Sequence, residues 1–392
     1  MNKLSDYADY VEEKINNSFL TNKTYIGVDN LLPNRSGITF SNYKSNDGTS
    51  TKFKKNDILI GNIRPYFKKI WLASFDGGCS TDVLCIRPKN EKQSKYLYCL
   101  LSQDSFFDYD MAGSKGSKMP RGDKNHIMNY PVNFIDNYEK IGDLIVNIEA
   151  QIKRNNEMVQ KLQVLTQSIY SYWFNQFEFP NEEGKPYKSS GGKMVWNEKL
   201  KREIPKDWTI NTVKNYCNIT WGQCPDGINI LPLSYNDENT ILYCSGAGDM
   251  RNGIVVDCQA KTNASKRLAH KNDILMSIAG SIGALCICDK TISLGRAAVA
   301  FTQKENQSLL TYQLINVFAT RMKSVSSGSI QKVINDNHLN DIKFAFSKEI
   351  FELYTSKFNS ILEVIINFEH KNKELVHLKE KMLPLLINGQ LI

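Results

Sequence analysis

The chain has 392 residues, of which 41% are hydrophobic and 23% charged, a composition that indicates a folded protein of two or three domains and excludes a mainly disordered one. The formal net charge of +8 at pH 7 favours a polyanionic partner, although a basic protein without such a partner would carry the same charge. The nine cysteines form no CxxC pair, so we expect reduced thiols. No segment reaches the roughly 18 apolar residues that cross a bilayer, and no secretion signal opens the chain. We therefore expect a cytoplasmic protein without membrane contact.

Residues 1–135 are predicted to form a first globular α/β domain. Short apolar runs alternate with turn residues, a pattern that is typical of short strands. The runs read DILIGNI, KKIWLASF and DVLCIRP.

Residues 136–176 are predicted to form a long helix, with Asp136 as its N-cap and Glu139 three residues later. Apolar residues recur at alternating spacings of four and three, which is the period of a coiled-coil seam. The seam consists of Ile141, Ile145, Ile148, Ile152, Asn155, Val159, Leu162, Thr166, Ile169 and Trp173.

Residues 177–204 are rich in Gly, Pro, Ser and Lys and have no apolar period, so we interpret them as a linker outside any core. A second β-rich domain follows at 205–346, with the runs GIVVDC, DILMSIAG and GALCICD. In the last of these, Cys286 and Cys288 alternate with apolar residues, which favours a buried strand over a metal site.

Residues 347–392 are predicted to form a second long helix, with Ser347 as its N-cap and Asn388-Gly389 as its stop. Its seam is less regular than the first but carries an asparagine at the matching point. The seam consists of Tyr354, Phe358, Ile361, Ile365, Phe368, Asn372, Leu375, Lys379, Met382 and Leu386. Two matched seams in one chain predict an antiparallel coiled coil.

The two halves of the chain repeat each other. The pentapeptide KNDIL occurs at 55–59 and again at 271–275, and GS followed by NH recurs at 116–126 and 328–338. A third match joins NNEMV at 155–159 to NKELV at 372–376. The offsets of 216, 212 and 217 residues keep one order, so the sequence indicates a tandem duplication of one domain-plus-helix unit. The expected fold is α+β, with two pseudo-symmetric domains joined by two long helices.

No catalytic motif accompanies this plan. The sequence lacks a P-loop, HExxH, GxSxG and PCxxC, and it has no [DNS]PP[YF] motif of amino-methyltransferases. His126 and His338 occupy matched positions without a local ligand partner, which favours packing over catalysis. The residues therefore offer no support for an enzyme or a metal site.

A glycine-rich basic loop at 114–124 is the strongest candidate for phosphate contact, although a solvated surface loop would have a similar composition. Further donors flank each KNDIL, and a shorter loop matches the first one at 326–332. Lys, Arg and Gln are residues that reach base edges and phosphates. The candidate DNA-binding residues are Lys52, Lys54, Arg64, Tyr66, Lys68, Lys69, Lys115, Ser117, Lys118, Arg121, Lys124, Lys261, Lys266, Arg267, Arg296, Ser329, Gln331 and Lys332.

The order of domain, helix, domain and helix resembles the DNA specificity subunit of a type I restriction-modification system, over essentially the whole chain. The segments that carry the resemblance are DILIGNIRPYFKKIWLA, STDVLCIRP, GSKMPRGDKNHIMNYPV, YSYWFNQFEFPNEEGKPYKSSGGKM and EIPKDW. The second domain departs from the pattern, since TISLGRAAVAF stands where the first domain has STDVLCIRP.

The resemblance implies a non-catalytic subunit that reads a bipartite sequence in double-stranded DNA. Its partners would be two methyltransferase subunits and, in the full complex, the restriction and translocase subunits. S-adenosylmethionine, ATP and Mg²⁺ would then belong to those partners and not to this chain. The end of the first helix, with Tyr170, Tyr172, Phe174 and Phe177, would either contact a methyltransferase or simply close the helix pair.

Two other classes of function stay open on the sequence. One is a coiled-coil adaptor that binds proteins through its two domains and has no DNA specificity. Its complexes would show none of the salt-dependent binding that phosphate contacts produce. The other is an unrecognised nuclease, which Mg²⁺-dependent cleavage by the purified chain would reveal, although no Asp/Glu cluster predicts it.

Overall fold

A computed structural model describes residues 2–42, 47–116, 118–250, 253–303, 306–326, 334, 339 and 342–387, with the side chains of 321–326 left out. The chain divides into two compact units. Unit 1 comprises Met1–Lys153 with Glu374–Ile392, and unit 2 comprises Arg154–Lys373. Each unit therefore holds one β-rich domain and a part of both long helices.

The domain of unit 1 contains two four-stranded sheets, with strand orders β1-β8-β5-β6 and β2-β4-β7-β3. The first sheet is antiparallel throughout, and the second contains one parallel pair, β3 with β7. In chain order the elements are α1 (Leu4–Tyr7), β1 (Ala8–Tyr10), β2 (Lys14–Asn16), β3 (Tyr25–Ile26), β4 (Thr49–Phe53), β5 (Ile58–Gly61), β6 (Ile70–Leu72), β7 (Gly77–Cys79), β8 (Val83–Pro88), α2 (Ser94–Leu101), α3 (Asp104–Gly113), α4 (Lys124–Met128) and the long helix α5 (Tyr138–Tyr170), which continues into unit 2.

The domain of unit 2 has sheets of four and five strands, with orders β12-β20-β17-β18 and β13-β15-β14-β19-β16, besides the pairs β9-β10 and β11-β21. In chain order the elements are β9 (Met194–Asn197), β10 (Arg202–Pro205), β11 (Thr209–Thr212), α6 (Val213–Tyr216), β12 (Cys217–Trp221), β13 (Ile230–Pro232), β14 (Ile241–Cys244), β15 (Ala260–Thr262), β16 (Leu268–Ala269), β17 (Ile274–Ser277), β18 (Leu285–Ile287), β19 (Ile292–Leu294), β20 (Ala298–Gln303), α7 (Ser308–Ser326), β21 (Lys343–Phe346) and α8 (Lys348–Ile387).

The two domains share one strand plan, which confirms the duplication. The order β1-β8-β5-β6 of unit 1 returns as β12-β20-β17-β18 in unit 2. In the other sheets, the parallel pair β3 and β7 with antiparallel β4 returns as β14 and β19 with antiparallel β16. Strands β13 and β15 extend the second domain beyond this shared plan.

The repeated KNDIL is a turn that the shared plan requires twice. Asn56 and Asn272 both have left-handed backbones, with φ of 72° and 74°, a conformation that asparagine tolerates better than most residues. Asp57 accepts a hydrogen bond from the backbone N–H of Lys54 at 2.7 Å, and Asp273 accepts one from that of His270 at 2.7 Å. The following Ile-Leu starts a buried central strand. The repeat therefore has the same structural role in both domains.

The long helices pair in antiparallel fashion within each unit, as predicted. In unit 2, Asn155 donates to Asn372 at 2.8 Å, while the ring of Trp173 contacts that of Tyr354 at 5.6 Å. Later residues of the first helix thus contact earlier residues of the second, as in an antiparallel pair. In unit 1, Lys379 pairs with Glu149 at 3.1 Å. The predicted seam residues are buried or half-buried, including Ile145, Ile148, Ile152, Val159, Leu162, Ile361, Ile365, Phe368 and Leu375.

The start of α5 differs from the prediction. The backbone carbonyl of Asn137 accepts from the N–H of Ile141 at 3.2 Å, and Asn137 has φ of 61°. The helix therefore begins one residue later than an Asp136 cap would place it, since Asn137 adopts the left-handed turn at its entry. Ser347 does stand immediately before α8, whereas the predicted stop at Asn388-Gly389 lies outside the described residues.

The segment predicted as a linker, 177–204, is more ordered than expected and contributes to the core of unit 2. Phe177 and Phe179 are buried, and their rings contact that of Trp208 at 5.4 Å and 5.1 Å. Tyr187 stacks on Phe179, and strands β9 and β10 form a hairpin in the same segment. Its Gly, Pro and Ser residues form turns between anchoring aromatic residues, which an analysis of apolar period does not detect.

Candidate nucleic-acid interface

Two loops that are about 50 residues apart in sequence form one basic surface in unit 1. The loop between β5 and β6, residues 62–69, lies beside the loop 114–124. Ile63 forms an antiparallel bridge with Arg121, which forms another with Lys115. The backbone N–H of Arg64 donates to the carbonyl of Pro120 at 2.8 Å. These bonds join most of the first domain's candidate DNA-binding residues into what we call the basic surface.

Carboxylates hold several cations of the basic surface in place. Lys115 pairs with Asp123, Arg121 with Asp82 at 3.2 Å, and Lys68 with Asp104 at 2.7 Å. Asp123 also caps α4 by accepting from the N–H groups of Asn125 and His126. The hydrogen bond from Lys115 and these backbone donors lower the pKa of Asp123 to about 2. Asp123 is therefore charged at neutral pH and available to both Lys115 and the start of α4.

The remaining cations of this region have different surroundings. Lys118 is exposed, and the ammonium of Lys124 lies 5.5 Å from the centre of the Tyr10 ring. Lys69 donates to the carbonyl of Val28 at 2.7 Å. Ser117 lies outside the described residues. Tyr66 is exposed on the β5–β6 loop, so the basic surface combines cations with an aromatic ring.

Lys52 and Lys54 belong to a different part of the first domain. Lys52 lies on β4, in the second sheet, and pairs with Glu13 at 2.7 Å. Lys54 follows that strand and supplies a backbone N–H to the KNDIL turn. The structure does not bring these two lysines into either loop of the basic surface, so they form a separate candidate site.

The second domain presents its cations from elements other than its β17–β18 loop. The loop between β17 and β18, residues 278–284, reads IAGSIGA and contains no cation, unlike its counterpart 62–69. Lys266 pairs with Asp226 at 3.5 Å, and Lys261 donates to the carbonyl of Tyr235 at 3.0 Å. Arg267 and Arg296 are exposed. The matched domains therefore offer different side chains on one frame.

Two of these cations influence the Cys224 thiol. A hydrogen bond with Tyr243 lowers the pKa of the Cys224 thiol, and the nearby charges of Arg296 and Lys266 lower it further. Arg296 and Lys266, which are 30 residues apart in sequence, thus both act on the Cys224 thiol in the second domain. The other predicted residues of this domain, Ser329, Gln331 and Lys332, lie outside the described residues, as does His338.

Sequence reasoning missed several residues that shape the basic surface. Arg35 joins Lys68 on Asp104, and the backbone N–H of Asn34 donates to the carbonyl of Phe67 at 2.8 Å. Phe67 and Met119 are exposed within the two loops. The signal for Phe67 and Met119 was their position between cations, whereas no sequence pattern marks Asn34 or Arg35.

His126 packs as predicted, since its ring stacks on that of Tyr109 with centroids 4.1 Å apart and its Nε2 lies 3.0 Å from the Tyr109 carbonyl. Among the residues that the structure describes, no group of three or more His, Cys, Asp or Glu side chains is arranged to hold a metal ion. Across the same residues, no helix combines the length and the apolar character that crossing a membrane requires.

Residues 205–375 match the family model of the type I restriction modification DNA specificity domain. The chain is 21% identical to the type I restriction enzyme HindI specificity subunit of Haemophilus influenzae, in an alignment that covers 99% of this chain and 98% of that protein. It is also 27% identical to the MjaIX specificity subunit of Methanocaldococcus jannaschii over 143 residues, which cover 35% of this chain and 30% of that protein.

The fold is similar to that of the S subunit of a type I restriction-modification system from M. genitalium. The TM-score is 0.65 with 12% sequence identity, and the match covers 97% of this chain and 94% of that one. A likeness at this identity supports the architecture of domains and paired helices, while the family model and the curated relatives support the kind of subunit. Residues 205–375 therefore match the DNA specificity domain of type I restriction-modification systems, and the chain over nearly its whole length is similar to the specificity subunits of such systems.

Proposed function

We propose that each domain reads one half of a bipartite DNA sequence and that the chain itself catalyses no reaction. The observation that carries this proposal is the shared strand plan, on which the two domains display different side chains. Where the first domain has the loop 62–69 with the three cations Arg64, Lys68 and Lys69, the second has the uncharged loop 278–284. Two domains with the same strand plan and different surface side chains are suited to bind two different short DNA sequences.

The phosphate backbone would be held first, through the cations of the basic surface and through Arg296 with Lys266. Several of these cations are already paired with carboxylates, so DNA must compete with Asp82, Asp104 and Asp123 for them. Such competition weakens non-specific binding, because a phosphate gains less from a cation that already has a partner. Recognition then depends more strongly on contacts to the bases.

The helices are the surface on which we place two methyltransferase subunits, with restriction and translocase subunits in the full complex. S-adenosylmethionine, ATP and Mg²⁺ would be bound by these partners. Of the aromatic residues proposed for this contact, Tyr170, Phe174 and Phe177 are buried against unit 2, so they close its core. Tyr172 is exposed and stays a candidate.

Other exposed apolar side chains extend the candidate docking surface along both helices. Such residues on a helix that already buries its seam favour a protein partner. They are Leu144, Met158, Val164, Leu165, Val364, Val376, Leu378 and Leu385.

Methylome sequencing of cells with and without this gene tests the proposal. Loss of the gene should remove adenine methylation from one bipartite motif, and reintroduction should restore the same motif. Unchanged methylation would contradict the proposal. An assembled complex that binds no DNA at any salt concentration would favour the adaptor alternative, and Mg²⁺-dependent cleavage by the purified chain would favour a nuclease.

A further inference from the structure

Three apolar side chains are exposed within the basic surface of the first domain. Tyr66, Phe67 and Met119 are 46%, 38% and 47% exposed. The rings of Tyr66 and Phe67 contact each other, with centroids 4.8 Å apart. Leaving two aromatic rings in water among cations costs hydrophobic free energy, so this arrangement points to a contact that buries them.

The turn that carries the two rings is strained and fixed. Arg64 and Lys68, on either side of the turn Pro65–Phe67, both have φ of 52°, a left-handed conformation that costs a non-glycine residue about 1 kcal/mol or more. Such conformations persist where the surroundings hold them. We call residues 64–68 the aromatic turn.

Three backbone hydrogen bonds hold the aromatic turn from opposite sides. Arg64 N–H donates to the Pro120 carbonyl at 2.8 Å, while the N–H groups of Asn34 and Arg35 donate to the carbonyls of Phe67 at 2.8 Å and Lys68 at 3.0 Å. The side chains of Arg35 and Lys68 both pair with Asp104 at the start of α3. The turn is thus preorganised, so binding through its rings requires little further ordering of the backbone.

We propose that Tyr66 and Phe67 are an aromatic wedge that contacts the bases at one step of the half-site read by the first domain. This inference rests on the proposed function. Cations on both loops attract the phosphate backbone, and apolar side chains between such cations are the means by which proteins unstack a base step. The mixed charge and aromatic character favours nucleic acid over an apolar protein partner.

The second domain has no counterpart of the aromatic turn in its matching loop. Its matching loop, 278–284, has no aromatic residue. We therefore expect exposed rings of the β5–β6 loop to unstack bases at the first half-site, and no matching unstacking at the second. The wedge would make the two half-sites differ in how they are read, beyond the difference in their bases.

The test uses the assembled complex of this chain with its methyltransferase subunits on duplexes that contain the mapped target. A fluorescent purine analogue replaces each purine of the first half-site in turn, except the methylated adenine. The variants are Tyr66→Ala with Phe67→Ala, and Tyr66→Phe with Phe67→Tyr as the ring-preserving pair. Tyr235→Ala is the matched control, because Tyr235 is a similarly exposed aromatic residue of the second domain, at 43%.

In the wild type, analogue fluorescence should rise at one step of the first half-site, because an unstacked analogue loses its quenching neighbours. The double alanine variant should lose this rise and bind roughly tenfold more weakly, with an unchanged salt slope since no charge is removed. The ring-preserving pair and Tyr235→Ala should keep the rise.

An equal rise in the double alanine variant, or no rise in a wild-type complex that binds its target, would overturn the wedge and leave the proposed function standing. A wild-type complex that does not bind the mapped target would instead remove the proposed function, and the wedge with it. The unfolding midpoint of each variant should match that of the wild type, because the backbone bonds of the turn are retained.

Discussion

The cations of the basic surface differ in whether a carboxylate of the protein already pairs with them. Arg121 has Asp82 as a partner and Lys115 has Asp123, while the exposed Lys118 stands between them in sequence. A cation that contacts phosphate releases a counterion on binding, whether or not it previously had a partner on the protein. The salt dependence of binding therefore reports which cations meet the DNA.

Replacing Lys118 and Arg121 by alanine should flatten the salt dependence of DNA binding by the assembled complex. Each phosphate contact adds about 0.9 to the slope of log K against log salt, so the slope should fall by about 1 to 2. Fluorescence anisotropy across a salt series measures it. Lys89→Ala removes a cation that pairs with Asp9 outside the basic surface and should leave the slope unchanged. An identical slope in the double variant would exclude the loop from phosphate contact.

Burial of Asp110 makes the stability of the first domain depend on pH. Its side chain is fully buried, and neither carboxylate oxygen has a hydrogen-bond partner among the described residues. Burial raises the pKa of Asp110 from 3.8 to about 6. The folded domain therefore holds the proton more tightly than the unfolded chain, and its stability falls as pH rises from about 4 through 6.

Asp110→Asn should consequently stabilise the protein at pH 8 by up to about 3 kcal/mol, and much less at pH 4, because the amide carries no charge to bury. Denaturant unfolding at both pH values measures the difference. Asp108→Asn, on the exposed side of the same helix, is the control and should change neither value appreciably. A stabilisation that is equal at both pH values would show that burial of charge is not the cause.

Among the elements, the two long helices are joined by hydrogen bonds between asparagine side chains. Asn155 donates to Asn372 at 2.8 Å, and Asn372 donates in turn to Asn156 at 2.7 Å. Both seam asparagines are buried. A polar pair at such a layer favours one register over its alternatives, because any slip buries an unpaired amide.

Asn155→Leu alone should destabilise the protein by about 1–3 kcal/mol, since it leaves the buried amide of Asn372 short of a partner. The double change Asn155→Leu with Asn372→Leu should recover much of that loss, because apolar residues of similar size fill the layer. Urea unfolding of both single variants and the double variant gives a double-mutant cycle. Strictly additive losses would show that the two amides are not coupled.

The elements that sequence predicted well are those with a strong period or an exact repeat. The seams around Ile145 and Ile365 predicted the helix pair. The repeated KNDIL and the repeated NH dipeptide predicted the duplication. The linker at 177–204 was misread because single aromatic anchors such as Phe177 and Phe179 carry no period. The role of Asn34 and Arg35 in holding the aromatic turn depends on contacts across more than 30 residues, which no local pattern encodes.

For the whole molecule, the central claim is that the two domains read separate half-sites. Domain exchange tests it most directly: residues 205–346 are replaced by the equivalent domain of a relative whose methylated motif is known, and methylated adenines are mapped. The account predicts a hybrid motif, in which one half-site is that of the donor domain and the other is that of the wild-type chain. A motif with both half-sites changed, or one identical to that of the wild-type chain, would contradict separate reading by the two domains.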